Sequence, residues 1–134
     1  MSVTNEERKQ LVSLALEARQ RAYAPYSNYP VGAALMTKSK RIYTGCNIEN
    51  ASYPLTICGE RAAMFNAVSQ GSTDFDTIVI ATRNGGSPCG ACRQVMAEFS
   101  LDMKVIIVDQ DGAVTMETTV AELLPAAFTP ENLR

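Results

Sequence analysis

Apolar residues at Leu11, Leu14, Ala15, Ala18 and Ala22 fall at the three- and four-residue spacing of one helix face. Thr4 and Glu7 precede them at capping-box spacing, so the first predicted element is an amphipathic helix ending before the turn-rich run APYSNYP. The pattern then changes. PVGAALMTKSKRIYTGC reads as a hairpin, with strands over 31–37 and 41–46 and a turn near 38–40. A polar connection, NIENASYPLT, leads to a second predicted helix from about 56 to 70, stopped by Gly71. FDTIVIAT and KVIIVD carry unbroken apolar runs, the pattern of strands covered on both faces, and DGAVTMET adds a fifth strand. Between the two buried strands a third helix is predicted, with Ser87 as its cap and Pro88 in its first turn. TVAELLP reads as a short helix stopped by Pro125. Helices alternating with apolar strands predict an α/β domain: a three-layer α/β/α sandwich around a mixed five-stranded sheet.

Composition narrows the class. At 134 residues the chain is one domain's length, 1–134, and at 46% hydrophobic and 19% charged it has the balance of a folded protein. Its net charge of −2 argues against a surface built for nucleic-acid phosphates. No apolar run approaches the roughly 18 residues that span a bilayer. The N-terminal run MSVTNEERKQ is polar and unlike a secretory signal, so a soluble cytoplasmic protein without membrane partners is expected. In that setting the four cysteines, Cys46, Cys58, Cys89 and Cys92, point to metal or catalytic use rather than a disulfide framework. The chain has no histidine, which removes Ser-His and Cys-His machinery. Any zinc site must use thiolates and carboxylates, and any proton carrier must be Glu, Asp, Lys, Tyr or Cys.

Cys89-Gly90-Ala91-Cys92 places two thiols on one face of a predicted helix start, where they share a metal, form a redox dithiol, or simply pack as small buried residues. Cys58 falls at another predicted helix start. Three cysteines leave one tetrahedral position open, which a catalytic zinc requires. Cys46 ends a predicted strand without a partner at ligand spacing and reads as a small buried thiol. Glu60, two residues after Cys58, reads alone as compensation of a helix dipole; beside a metal it reads as a carboxylate that moves protons to and from water.

Cys58-Gly59-Glu60 followed by Pro88-Cys89-Gly90-Ala91-Cys92 resembles the zinc nucleobase deaminase signature, H-x-E then P-C-x-x-C, in its all-cysteine form. AYAPYSNYPVGAAL, GCNIENASY, CGERAAMFNAV, SPCGACRQVMAEF and ELLPAAF extend the likeness, in order, to the small homotetrameric cytidine deaminases over nearly the whole chain. The resemblance implies one zinc per subunit, held by Cys58, Cys89 and Cys92, with Glu60 as the proton shuttle. It assigns Asn47 and Glu49 to the ribose hydroxyls and Tyr29 to the base pocket. It assigns Tyr53 and Phe128 to aromatics that approach a neighbouring subunit's site. Arg61 matches an arginine that hydrogen-bonds the zinc thiolates and draws off their charge.

This chain departs from the pattern at Tyr29, where phenylalanine is usual, at Gly59 for alanine, in the variable stretch PLTI at 54–57, and in PAAF. The implied activity is hydrolytic deamination of cytidine and 2′-deoxycytidine in pyrimidine salvage. The alternatives are a deaminase of N4-substituted or blasticidin S-like cytosine nucleosides and, from another class, a non-catalytic zinc or redox protein.

Overall fold

The computed structural model describes residues 3–134; Met1 and Ser2, which open the polar N-terminal run, lie outside the described residues. Helix α1, Asn5–Arg19, begins as predicted: the Thr4 side chain accepts from the Glu7 amide and the Glu7 side chain accepts from the Thr4 amide. It buries Leu11, Ala15 and Ala18. The helix ends before Ala22, the last residue of the predicted stripe, which is half-buried beyond it. Strands β1, Gly32–Thr37, and β2, Ile42–Cys46, form the predicted hairpin. A 3-10 turn, Tyr53–Leu55, precedes helix α2, Gly59–Ser69; then come β3, Phe75–Ala81, and helix α3, Gly90–Phe99. Strands β4, Lys104–Val108, and β5, Val114–Thr119, lead into the short helix α4, Val120–Leu123, and a final 3-10 turn, Pro130–Leu133.

The five strands form one sheet in the order β2-β1-β3-β4-β5. Only β3 and β4 run parallel, joined by the α3 crossover; the other neighbours are antiparallel. Alternation along the strands divides the core into two layers. Ala33 and Leu35 of β1, Ile78 and Ile80 of β3, and Val105 and Ile107 of β4 face α2 and α3 with Met64 and Met96. Their intervening neighbours, Ala34, Met36, Val79, Ala81, Ile106 and Val108, face α1 with Leu11 and Ala15. This explains the unbroken apolar runs, and the three-layer α/β/α sandwich with a mixed five-stranded sheet is the architecture predicted. No helix among the described residues is long and apolar enough to cross a membrane.

Two helix starts differ from their predicted positions. Helix α2 begins at Gly59 rather than near 56, because Ile57 pairs with Ile48 in an isolated bridge and Cys58 takes extended backbone. Helix α3 is capped by Cys89, not Ser87, and Pro88 precedes the cap instead of entering the first turn. The Ser87 hydroxyl is engaged elsewhere, accepting from Arg93 Nη2 at 3.2 Å. Both shifts put a cysteine at the mouth of a helix.

Candidate active site

Cys58 and Cys89 each occupy an N-cap with extended backbone, φ/ψ −72/154° and −69/169°. Their carbonyls start the helices, accepting from Ala62 and Arg93 amides at 2.9 and 3.1 Å. Neither side chain caps its own helix, so both sulfurs are free to face outward from the helix start. Cys92, three residues into α3, is fully buried in the core layer beneath. The three Sγ atoms lie within 4.8 Å of one another, and those of Cys89 and Cys92 are 3.5 Å apart. Cys46, at the end of β2, is half-buried and belongs to no such group.

Arg61 Nη2 donates to Cys58 Sγ at 3.2 Å. Its Nε is buried without a partner. A guanidinium half-buried against sulfur in this way fits thiolates rather than neutral thiols. The Cys58 thiol is pulled down to about 5, chiefly by its hydrogen bond with Cys92 and then by Arg61; Cys92 is pushed up, chiefly because its own proton is shared with the Cys58 sulfur and then because it is buried. Two soft sulfurs at helix starts, a third one turn on, and a cation beside them suit a tetrahedral zinc with one position left open.

Glu60 sits in the first turn of α2 and is 5% exposed. Burial pushes its carboxyl up to about 7, with a smaller contribution from the Cys58 charge. A surface glutamate compensating a helix dipole would show neither feature, so its place in the site goes beyond that reading. Glu60 faces a cavity of about 250 Å³ that Tyr29, Asn47, Glu49, Tyr53, Cys58 and Cys89 also line.

The loop after α1 forms one wall of that cavity and is pinned from the segment after β2. Asn47 Nδ2 donates to the Tyr29 carbonyl, and its Oδ1 accepts from the Val31 amide, both at 2.9 Å. Glu49 Oε1 accepts from the Tyr26 and Ser27 amides at 2.9 and 3.1 Å, and Oε2 accepts from the Ser27 hydroxyl. The Ser27 bonds, first from its hydroxyl, hold the Glu49 carboxyl below the usual range. Asn47 and Glu49 are thus structural ties as well as pocket residues. Tyr53 stands on the rim of its own chain's pocket, 64% exposed. Phe128 is not among the residues lining the cavity; it is exposed, and its carbonyl accepts from Gln94 Nε2 at 2.8 Å.

Thr82 and Thr56 also line the pocket; the sequence pointed to Thr56 only as part of the stretch 54–57 and to Thr82 not at all. Thr82 is buried immediately after β3, and its position at a strand end was the available signal. Thr56 lies in the departing stretch PLTI, and its hydroxyl accepts from the Asn50 amide at 3.2 Å.

Residues 5–109 match the family model for the cytidine and deoxycytidylate deaminase zinc-binding region. A cytidine deaminase of Sporosarcina psychrophila is 48% identical, covering 93% of each chain. A blasticidin-S deaminase of Bacillus cereus is 34% identical, covering 90% of this chain and 91% of its own. The crystal structure of a cytidine deaminase from Burkholderia pseudomallei superposes with a TM-score of 0.86 at 42% identity, covering 94% of this chain and all of its own. With the three-cysteine cluster and Glu60 all inside the matched span, the chain belongs to the cytidine and deoxycytidylate deaminase family.

Proposed function

We propose that this chain is a single-domain cytidine deaminase that hydrolyses cytidine and 2′-deoxycytidine to the uridine forms and ammonia, in the cytoplasm and as a homotetramer. The observation that carries the reading is a buried carboxyl, Glu60, beside three convergent thiols in a pocket also lined by Asn47 and Glu49. Cys58, Cys89 and Cys92 would hold the zinc. When bound, the metal supplies Lewis acidity that brings the pKa of water near neutrality.

The remaining chemistry belongs to this chain. Glu60 takes a proton from the attacking water and delivers it to ring N3 of the cytosine. It then passes a proton to the exocyclic nitrogen as ammonia leaves. A carboxyl held near 7 gains and loses a proton at similar cost, which suits both transfers. Arg61 restrains the negative charge of the thiolates. Asn47 and Glu49, already fixed by the 26–31 loop, hold the ribose hydroxyls, and Tyr29 bounds the base.

The test is loss of the cytidine absorbance band under zinc-loaded protein, alongside 2′-deoxycytidine and blasticidin S. Glu60→Ala is expected to keep its zinc and its melting temperature while kcat falls by about 10² to 10⁴, the range for a lost general acid–base. Wild-type turnover in that variant would remove Glu60 from the mechanism. Preference for blasticidin S over cytidine would favour the substrate named for the Bacillus cereus relative.

A further inference from the structure

We propose that the Tyr29 hydroxyl and Asn84 form a clasp across the pocket that sets selectivity for an unsubstituted exocyclic amine. The proposal rests on the cytidine reading above. Tyr29 belongs to the wall that follows α1, and Asn84 to the loop between β3 and α3. The Tyr29 hydroxyl donates to Asn84 Oδ1 at 2.7 Å. Arg83 lies over the Tyr29 ring, its guanidinium carbon 5.4 Å from the centroid. The first wall is already fastened at both ends of Tyr29, by Asn47 on its carbonyl and by the Ser27 hydroxyl, which accepts from its amide at 3.1 Å. A hydrogen bond from so constrained a ring therefore transmits that position to the opposite loop.

The loop shows matching features. The Gly86 amide donates to the buried Thr82 hydroxyl at 2.9 Å, closing the 82–86 turn from within. A Cβ at Gly86 would stand 2.6 Å from the Tyr29 hydroxyl oxygen, so any side chain there would displace the hydroxyl from the clasp. Gly86, Ser87 and Pro88 line the pocket and run directly into Cys89, one of the three thiols.

The substrate's own geometry gives the clasp its consequence. In cytidine the sugar bond at N1 and the amine at C4 lie on opposite ends of the ring. With the sugar at Asn47 and Glu49 and C4 at the thiol cluster, the amine points away from the sugar toward the chain entering that cluster. Two stretches enter it, Thr56 before Cys58 and Gly86–Pro88 before Cys89, and the clasp acts on the second. Holding it fast keeps space for an amino group and denies space for an added methyl. Discrimination by one methyl in a fitted pocket is about 10- to 200-fold, so loosening the wall has a measurable range to act on. A phenylalanine at position 29 keeps the ring and loses only the tie.

The experiment compares kcat/KM for cytidine and N4-methylcytidine, the second releasing methylamine, in wild type, Tyr29→Phe, Asn84→Ala, the double variant and Gly86→Ala. Each single variant is expected to reduce the cytidine preference by about tenfold, and the double variant no further, because one bond is being removed by either route. Zinc content is measured on every sample, since a general loosening would lower it along with both rates. An unchanged preference in Tyr29→Phe and Asn84→Ala, or reductions that multiply in the double variant, would overturn the clasp. Inactivity of zinc-loaded wild type on cytidine would instead overturn the deaminase reading beneath it.

Discussion

Glu60 and Glu49 are both nearly inaccessible carboxylates lining the same pocket, yet their surroundings drive them in opposite directions. Glu60 is dominated by burial and by a neighbouring thiolate, and stays ready to hold a proton. Glu49 is met by a hydroxyl and two amides, and stays ionised. A carboxyl whose folded value lies below its unfolded value stabilises the fold above the unfolded value and loses that contribution as pH falls through the folded one. The melting-temperature difference between wild type and Glu49→Gln should therefore be widest at pH 7 and shrink as pH falls below 4.5, the ordinary value for this group. A difference that stays constant across that window would mean that the carboxylate charge contributes nothing to holding the 26–27 loop.

Arg61 acts on the thiolate charge rather than on a proton. Its guanidinium meets Cys58 Sγ, and its Nε is otherwise orphaned. Arg61→Ala should keep a zinc and lose about 10- to 100-fold in activity, the usual scale for a group that tunes metal ligands. Equal activity in the variant, with zinc confirmed, would mean that the thiolate charge needs no such restraint.

The elements place these residues through close contact between β2 and α2. A Cβ at Gly45 would stand 2.3 Å from the Ala63 amide nitrogen and 2.7 Å from the Ala62 carbonyl carbon. Those atoms are helix backbone and have no rotamer to yield. Gly45→Ala must push α2 off the sheet, taking Cys58 and Glu60 with it, so it should destabilise by about 3 kcal/mol and weaken zinc retention together. Urea midpoints with metal analysis would check this; lower stability with full zinc retention would show that α2 moves without disturbing its first turn.

The five strands, the layers and α1 were legible because their signals are periodic and local: alternation, a capping box, apolar runs. The helix starts at the site were misplaced by a few residues for a physical reason. Sequence rules favour a serine cap and a proline in the first turn, but here cysteines take the caps and turn their sulfurs toward one another. The three thiols and Glu60 were readable as a set from the spacing of C-G-E and P-C-x-x-C. The ties from Asn47 and Glu49 to the 26–31 loop, and the Tyr29–Asn84 bond, join residues 16 to 55 apart, and no local pattern announces them.

At the scale of the whole molecule, the single chain leaves apolar surface uncovered near what it has built. Phe65 and Val68 of α2 are exposed, and Phe65, Val95 and Phe99 line a shallow groove between α2 and α3. Tyr53 and Leu55 stand out from the turn beside the pocket, and Phe128 is exposed away from it. In the proposed homotetramer, further copies of the chain would cover such faces, and Phe128 would reach a neighbour's site rather than its own. Hybrid assemblies separate that arrangement from one in which each chain is self-sufficient. Glu60→Ala subunits lack the proton carrier, and Phe128→Ala subunits should lose about tenfold in kcat/KM through the missing aromatic wall. When the two are unfolded together, or co-expressed in equal amounts, random pairing rebuilds sites that combine Glu60 from one variant with Phe128 from the other. About a quarter of all sites would then be intact, giving roughly a quarter of wild-type kcat/KM, well above either variant alone. If Phe128 served its own chain, the mixture would show only the average of its two parents, and the tetramer would be an assembly of complete, independent sites.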